Sequence, residues 1–206
     1  QDARLVMGKD GQPLLVTFTE KILVTLLTKL SNFIPQAGIW MNTLRPEWND
    51  ANNALVGYGA SMVTLYYMRR FVSFLIQLYG KQNATYAISQ EVVMFLRNVL
   101  ATMVAHLPED ANQPITFTAH SRRTFTDQMG RAGEQYRNAV YKGHSGEKVE
   151  LDAELFVKFL LMTRDYIDQS IAVNQREDGL FHAYNLVKFD KQSITITPLY
   201  EMLEGQ

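Results

Sequence analysis

The chain has 206 residues and a formal net charge of −1, so it lacks the broad basic field that holds nucleic acid. Its 47% apolar and 20% charged residues give a globular balance and exclude a disordered or low-complexity segment. The absence of cysteine removes disulfides and thiolate zinc sites.

Thr17-Phe18-Thr19-Glu20 marks the first predicted helix as a capping box, in which Thr17 accepts from a free backbone N–H and Glu20 reaches back. Ile22, Leu23, Leu26, Leu27, Leu30 and Phe33 follow at helical spacing, and Pro35 ends the run. A second helix is expected over 59–79, closed by Gly80. Its polar residues Arg69, Ser73 and Gln77 fall four apart, which predicts a narrow polar stripe on a largely buried cylinder. A third helix starts near Ser89 and carries Val92, Leu96, Val99 and Met103 on one face. A fourth follows Thr118, with Phe125, Met129, Ala132 and Tyr136; its Arg122, Arg123, Arg131 and Arg137 read first as a solvated basic face, and second as an anion or partner site. A fifth follows Asp152, with Leu155, Phe159, Met162, Tyr166 and Ile167, and its Asp165 and Asp168 are expected to face solvent. After Gly179 the period shortens to two, giving short strands at 181–189 and 193–197 around Asp190-Lys191.

The expected fold is therefore all-α, a single helical domain over 1–206 of antiparallel helices, with a short strand pair near the C-terminus. The chain opens on Gln1 and closes on Gln206, which reads as a piece cut from a larger protein. In such a piece, some apolar helix faces are expected to stand exposed or to pack on a neighbouring copy or the rest of the parent chain. Residues 51–68 lack charge, but their asparagines and glycines, followed by Arg69 and Arg70, argue against a membrane span. A soluble protein is expected, cytoplasmic or periplasmic. His106, His120, His144 and His182 are scattered and form no pair four apart, so neither a metal site nor a cofactor is expected.

Residues 35–58 show no clear period, and an irregular connection longer than about 12–15 residues is often functional. They are expected to form an ordered loop at the rim of a concave surface. Both tryptophans lie here, Trp40 and Trp48, with Arg45, Glu47, Asn49, Asp50, Asn52 and Asn53. Sugars are recognised by this mix: ring C–H faces lie on aromatic surfaces, while amides, carboxylates and guanidinium groups take the hydroxyls. Two neighbouring carboxylates, Glu47 and Asp50, raise each other's affinity for a proton, as an acid that protonates a glycosidic oxygen requires. The same residues also suit a helix start, since Asp and Asn favour N-caps, and both tryptophans also suit the core.

The stretch RPEWNDANN, 45–53, resembles the Asp-Trp-Asn-Asp segment of cellobiose phosphorylases and related enzymes, which are similar in fold to glucoamylases. The resemblance implies that the helices are part of an (α/α)6 toroid, a ring of paired helices with the active site at one mouth. It implies that Asp50 is the general acid and Trp48 a platform for the non-reducing sugar. Glu47 stands where that family has aspartate, and its histidine-and-glycine phosphate segment has no visible counterpart here. The stretches 179–186 and 200–206 also look like parts of large bacterial carbohydrate-active chains.

The expectation that follows is a glycoside hydrolase or glycoside phosphorylase segment acting on an oligosaccharide or disaccharide, with inorganic phosphate as a further substrate in the second case. Asp50 and Glu47 are the catalytic candidates. Trp48, Trp40, Arg45, Asn49 and Asn53 are the sugar-binding candidates. The rival expectation is a non-catalytic helical module that binds carbohydrate or another protein and has no use for a protonated carboxylate.

Overall fold

The computed structural model of the protein describes residues 5–8, 11–42, 50–110 and 112–200, and for 50–52 the backbone alone. Helix α1 (Phe18–Leu30) is followed by β1 (Phe33–Ile34), β2 (Gly38–Trp40), α2 (Asp50–Leu55) and β3 (Gly59–Ser61). Then come α3 (Met62–Tyr79), β4 (Thr85–Ser89), α4 (Gln90–Val104), α5 (Ala119–Lys142), β5 (Lys148–Asp152) and α6 (Ala153–Ala172). The hairpin β6 (Tyr184–Phe189) and β7 (Ile194–Pro198) completes the order.

The five long helices stand where their periods and N-caps place them. Thr17, Ser61, Thr118 and Asp152 each accept a hydrogen bond from a backbone N–H of the first turn. Helix α3 packs along α6, α4 along α5, and α1 against both α4 and α5. Their shared core centres on Phe125, which no solvent reaches. Phe125 meets Phe33, Phe117 and His106 edge-on and stacks on Tyr166 at 5.5 Å. The Tyr166 hydroxyl donates to Met103 O at 2.6 Å, so this aromatic group ties α6 to the end of α4 without leaving a polar atom bare.

The all-α toroid is not what these helices build. Among the described residues the structure is mixed, 51% helix and 18% strand, and an antiparallel sheet in the order β1-β2-β3-β6-β7 curls into a half-barrel beside the helices. A second sheet, β4-β5, joins the segments that lead into α4 and α6. The reason lies in strand length: β1, β2 and β3 have two or three residues each, too few to display a two-residue period, and nearly all of them are buried. Strand β3 also runs straight into α3, so its Gly-Ala-Ser reads as the first turn of that helix.

Residues 35–58 accordingly are no structureless loop, since they hold β2 and α2. The expected C-terminal strands are present as β6 and β7, paired from Asn185↔Pro198 to Phe189↔Ile194. The β1-β2 connection turns at Pro35-Gln36, where Gln36 takes φ +68° and the Ala37 amide donates to Ile34 O at 3.0 Å. Next, Gly38 sits so close to the Ser61 carbonyl that a β-carbon would lie 2.6 Å from it, which holds β2 against β3.

Three side chains take unexpected roles. Arg122 is buried rather than solvated: Nε donates to Pro35 O at 3.0 Å, Nη1 to Ile194 O at 2.8 Å, and Nη2 to Gln36 Oε1. Glu20 does not reach back to Thr17. Its buried Oε2 accepts from the Ser89 amide and from Lys148 Nζ, both at 3.0 Å, because a carboxylate enclosed there needs charged and amide partners. Asp168 does not simply face solvent, since Arg69 Nε lies 2.6 Å from its Oδ1. Helix α3 is wetter than its sequence stripe implies, with Tyr67, Phe74 and Leu78 exposed. Among the described residues no helix is long and apolar enough to cross a membrane.

Candidate functional site

The five-stranded sheet positions one aromatic pair. Alternation along the strands puts Ile34, Trp40, Ala60, Val187 and Ile194 on one face, where they pack as a small second core. Trp40 and Phe189 lie at its edge with ring centroids 5.0 Å apart and planes 52° from parallel. Trp40 is half-buried, and its indole Nε1 donates to Gly57 O at 3.0 Å. The ring is therefore fixed from two sides while one surface stays open.

Clefts lie on both sides of Trp40. One, about 470 Å³, runs between the sheet edge and α5 and is lined by Trp40, Phe189, Asn32, Asn42, Thr126, Asp127, Arg131 and Glu134, with Arg123 and Arg137. The other, about 230 Å³, lies towards α1 and α3 and is lined by Trp40, Asn32, Asn42, Thr28, Ser61 and Thr64. Asn32 and Asn42 belong to both. Asn42 Nδ2 donates to Asn32 Oδ1 at 2.6 Å, and Asn32 Nδ2 donates to Thr28 O at 3.0 Å. These bonds fix both amides and leave the Asn42 carbonyl oxygen without a partner among the described residues.

Helix α5 supplies the charged wall. Arg123 Nε donates to Asp127 Oδ2 at 2.8 Å and its Nη1 to Asp190 O at 2.7 Å, a brace between α5 and the β6-β7 turn. Gly130 lies on the cleft wall in mid-helix, and a β-carbon there would meet nothing within 4 Å. One turn on, Gly133 packs against Ser31, where a β-carbon would come within 2.9 Å of the serine side chain. So α5 approaches α1 closely at 133 and leaves the cleft open at 130.

The sequence-derived site residues divide as follows. Trp40 stands in the site, between the two clefts. Asn53 is exposed on α2 and lines neither cleft. Asp50 is the first residue of α2, and its side chain lies outside the described residues, as do Arg45, Glu47, Trp48 and Asn49 altogether. Helix α2 is anchored beside Trp40: Leu55 packs on Met41, and the Gly57 amide donates to Met41 O at 2.7 Å. The segment 50–53 thus does start a helix, as its N-cap composition also suggested. Sequence reasoning missed Asn32, Asn42, Asp127, Phe189 and Gly130, which come together only through the sheet. A signal was available for Gly130, since a glycine in the middle of a 24-residue helix costs about 1 kcal/mol against alanine and needs a reason.

A second polar cluster lies at the start of α4. Glu91 Oε1 accepts from the Ser145 amide at 2.7 Å, and Oε2 lies 3.2 Å from His144 Nε2 without aligned hydrogen-bond geometry. His144 Nδ1 accepts from the Gly146 amide at 3.2 Å, which puts the ring proton of the neutral imidazole on Nε2. Burial pushes the Glu91 carboxyl up, but the Ser145 bonds and the neighbouring His144 outweigh it and hold it below the usual range. Among the described residues no three His, Asp or Glu side chains are placed to hold a metal. No protein-family model matches the chain, and no curated protein matches it significantly.

Proposed function

We propose that the chain is a saccharide-binding part of a glycoside-acting protein, and that a sugar ring lies against Trp40 in the cleft between the sheet edge and α5. The observation that supports this is the half-exposed Trp40, braced by Phe189 and Gly57 O, in a cleft whose remaining walls are amide and charged side chains. An aromatic face with hydroxyl-binding groups around it is the chemistry of sugar recognition. Such pockets are concave and largely pre-formed, and 470 Å³ lies within the range of small-ligand sites.

The test is a titration with neutral and acidic oligosaccharides, followed by calorimetry and by indole fluorescence. The chain has two tryptophans, so Trp40→Phe and Trp48→Phe separate their signals. Saccharide binding that survives unchanged in Trp40→Ala would remove the reading.

Cleavage is the second reading, favoured by the anchoring of the end of α2 beside Trp40 through Leu55 and Gly57, in the segment that carries Asp50. In it Asp50 protonates the glycosidic oxygen, Glu47 keeps Asp50 protonated or binds a hydroxyl, and Trp48, Arg45, Asn49 and Asn53 contact sugar. Hydrolysis or phosphorolysis follows from whether water or phosphate attacks. Asp50→Asn should then lower the rate on an ordinary disaccharide by ~10²–10⁴-fold, and much less on a sugar fluoride, whose leaving group needs no proton. Equal losses on both substrates would leave binding as the whole role of the site.

A further inference from the structure

The charge in the Trp40 cleft is not evenly spent. Arg123 is satisfied by Asp127 and by Asp190 O. Arg131 and Arg137 line the same cleft, and neither makes a hydrogen bond or an ion pair among the described residues. Arg137 lies back along α5, with Nη1 3.8 Å from the position a β-carbon would take at Gly133. Between them on the same helix, three residues from each, is Glu134, which also makes no hydrogen bond or ion pair among the described residues. With the Arg123–Asp127 pair set aside, two guanidinium groups face one carboxylate, an excess of one positive charge.

We infer that the saccharide held at Trp40 is an acidic one, a uronate, whose carboxylate is taken by Arg131 and Arg137. The inference rests on the saccharide reading of this cleft. One surplus positive charge matches a carboxylate, which carries a single negative charge, better than a phosphate, which carries nearly two at neutral pH. The planar guanidinium fork meets a carboxylate through two parallel bonds, a geometry lysine cannot reproduce. Gly130, one residue before Arg131, keeps the wall clear of side chain where the sugar ring would pass from Trp40 to the arginines.

The experiment compares trigalacturonic acid with its methyl ester, two ligands of the same ring differing in charge, and adds inorganic phosphate as a third probe. Affinities are measured by calorimetry on the chain and on Arg131→Gln, Arg131→Lys and Arg131→Gln/Arg137→Gln. The acid should bind tighter than the ester by about 10-fold to 100-fold, the scale of hydrogen bonds to a charged group. The double variant should bring the two ligands level, with the acid losing at least ten times more affinity than the ester, and leave the thermal midpoint unchanged. Arg131→Lys should recover only part of the difference, and added salt should weaken the acid alone. Equal binding of acid and ester by the unaltered chain would overturn the inference while leaving the saccharide reading intact. Binding of neither sugar would overturn both. Phosphate displacing the acid at equal concentration would show a site for free oxyanions and overturn the assignment to a uronate.

Discussion

Two glycines one turn apart on α5 make opposite predictions from the same substitution. Gly130→Ala places a methyl group where nothing lies within 4 Å, so the change collects the helix-propensity difference, about 0.8–1.0 kcal/mol, without a packing cost. For a chain of this length that is a rise of roughly 2–4 °C in the unfolding midpoint. Gly133→Ala gains the same propensity but puts its methyl 2.9 Å from the Ser31 β-carbon and hydroxyl. Ser31 is buried and its hydroxyl is committed to Thr28 O at 2.8 Å, so it has little freedom to give way. Overpacking costs about 1–3 kcal/mol, which cancels or exceeds the gain. The expected order of midpoints is Gly130→Ala, then the parent chain, then Gly133→Ala, by differential scanning calorimetry at one protein concentration. A stabilised Gly133→Ala would refute the close approach of α5 to α1. A destabilised Gly130→Ala would refute the open wall. The pair also serves the functional question, because Gly130→Leu should keep the fold while its side chain occupies the cleft, lowering saccharide affinity without lowering the midpoint.

Other consequences can be measured independently. Arg122→Ala should cost about 3–5 kcal/mol in urea unfolding, since it strands the buried Pro35 and Ile194 carbonyls at about 1–3 kcal/mol each and opens a cavity; a loss below 1 kcal/mol would show that water replaces the guanidinium. Phe125→Ala, at the centre of the aromatic group, should cost about 3–5 kcal/mol by the same assay, and a surface-like loss would contradict its full enclosure. Because the Glu91 carboxyl titrates below the usual carboxylate range when folded, its contribution is present above the unfolded pKa and is lost as pH falls through the folded one. Glu91→Gln should therefore flatten the fall in stability on the acid side, and an unchanged acid limb would remove Glu91 from the account.

Helix starts were legible because capping is local: Thr17, Thr118 and Asp152 each act within three residues of themselves. The β6-β7 hairpin was legible too, but β1 to β3 were not, because Phe33–Ile34 and Gly59–Ser61 are too short to carry an internal period, and the second pairs with Tyr184–Leu186, more than 120 positions away. Strand β5 was not expected either, although Lys-Val-Glu-Leu-Asp alternates openly, with Leu151 buried and Val149 half-buried between exposed neighbours. The burial of Arg122 was readable too. It stands three before Phe125, seven before Met129 and ten before Ala132, on the apolar stripe of α5, whereas Arg131 falls on the opposite side of the helix. What no spacing could give was its partners, because they come from the β1-β2 turn and β7. Glu20 shows the same limit. Its position fits a capping box, yet Lys148, 128 residues later, offers a stronger partner than the helix end does.

The candidate site illustrates why a short motif is a weak guide to a composite surface. The segment 45–53 drew attention by composition, but the cleft that can be described is assembled from Asn32 and Asn42 around β1 and β2, Phe189 at the end of β6, and one face of α5. Among the described residues, Trp40 alone belongs both to the compositional cluster and to the assembled cleft. The sugar reading therefore does not depend on the helical toroid that the chain lacks; it depends on whether an aromatic surface is held open next to hydroxyl-binding groups. The bracing of Trp40 bears on affinity as well as on shape. A ring already fixed by Gly57 O and Phe189 loses little further freedom when a ligand arrives, so more of the contact energy remains as binding. Arg131 and Arg137, by contrast, are unengaged and lose rotamer freedom when they clamp an acid. The charge contribution should accordingly be the part that salt and substitution diminish first, and the Trp40 contribution the part that persists at high ionic strength.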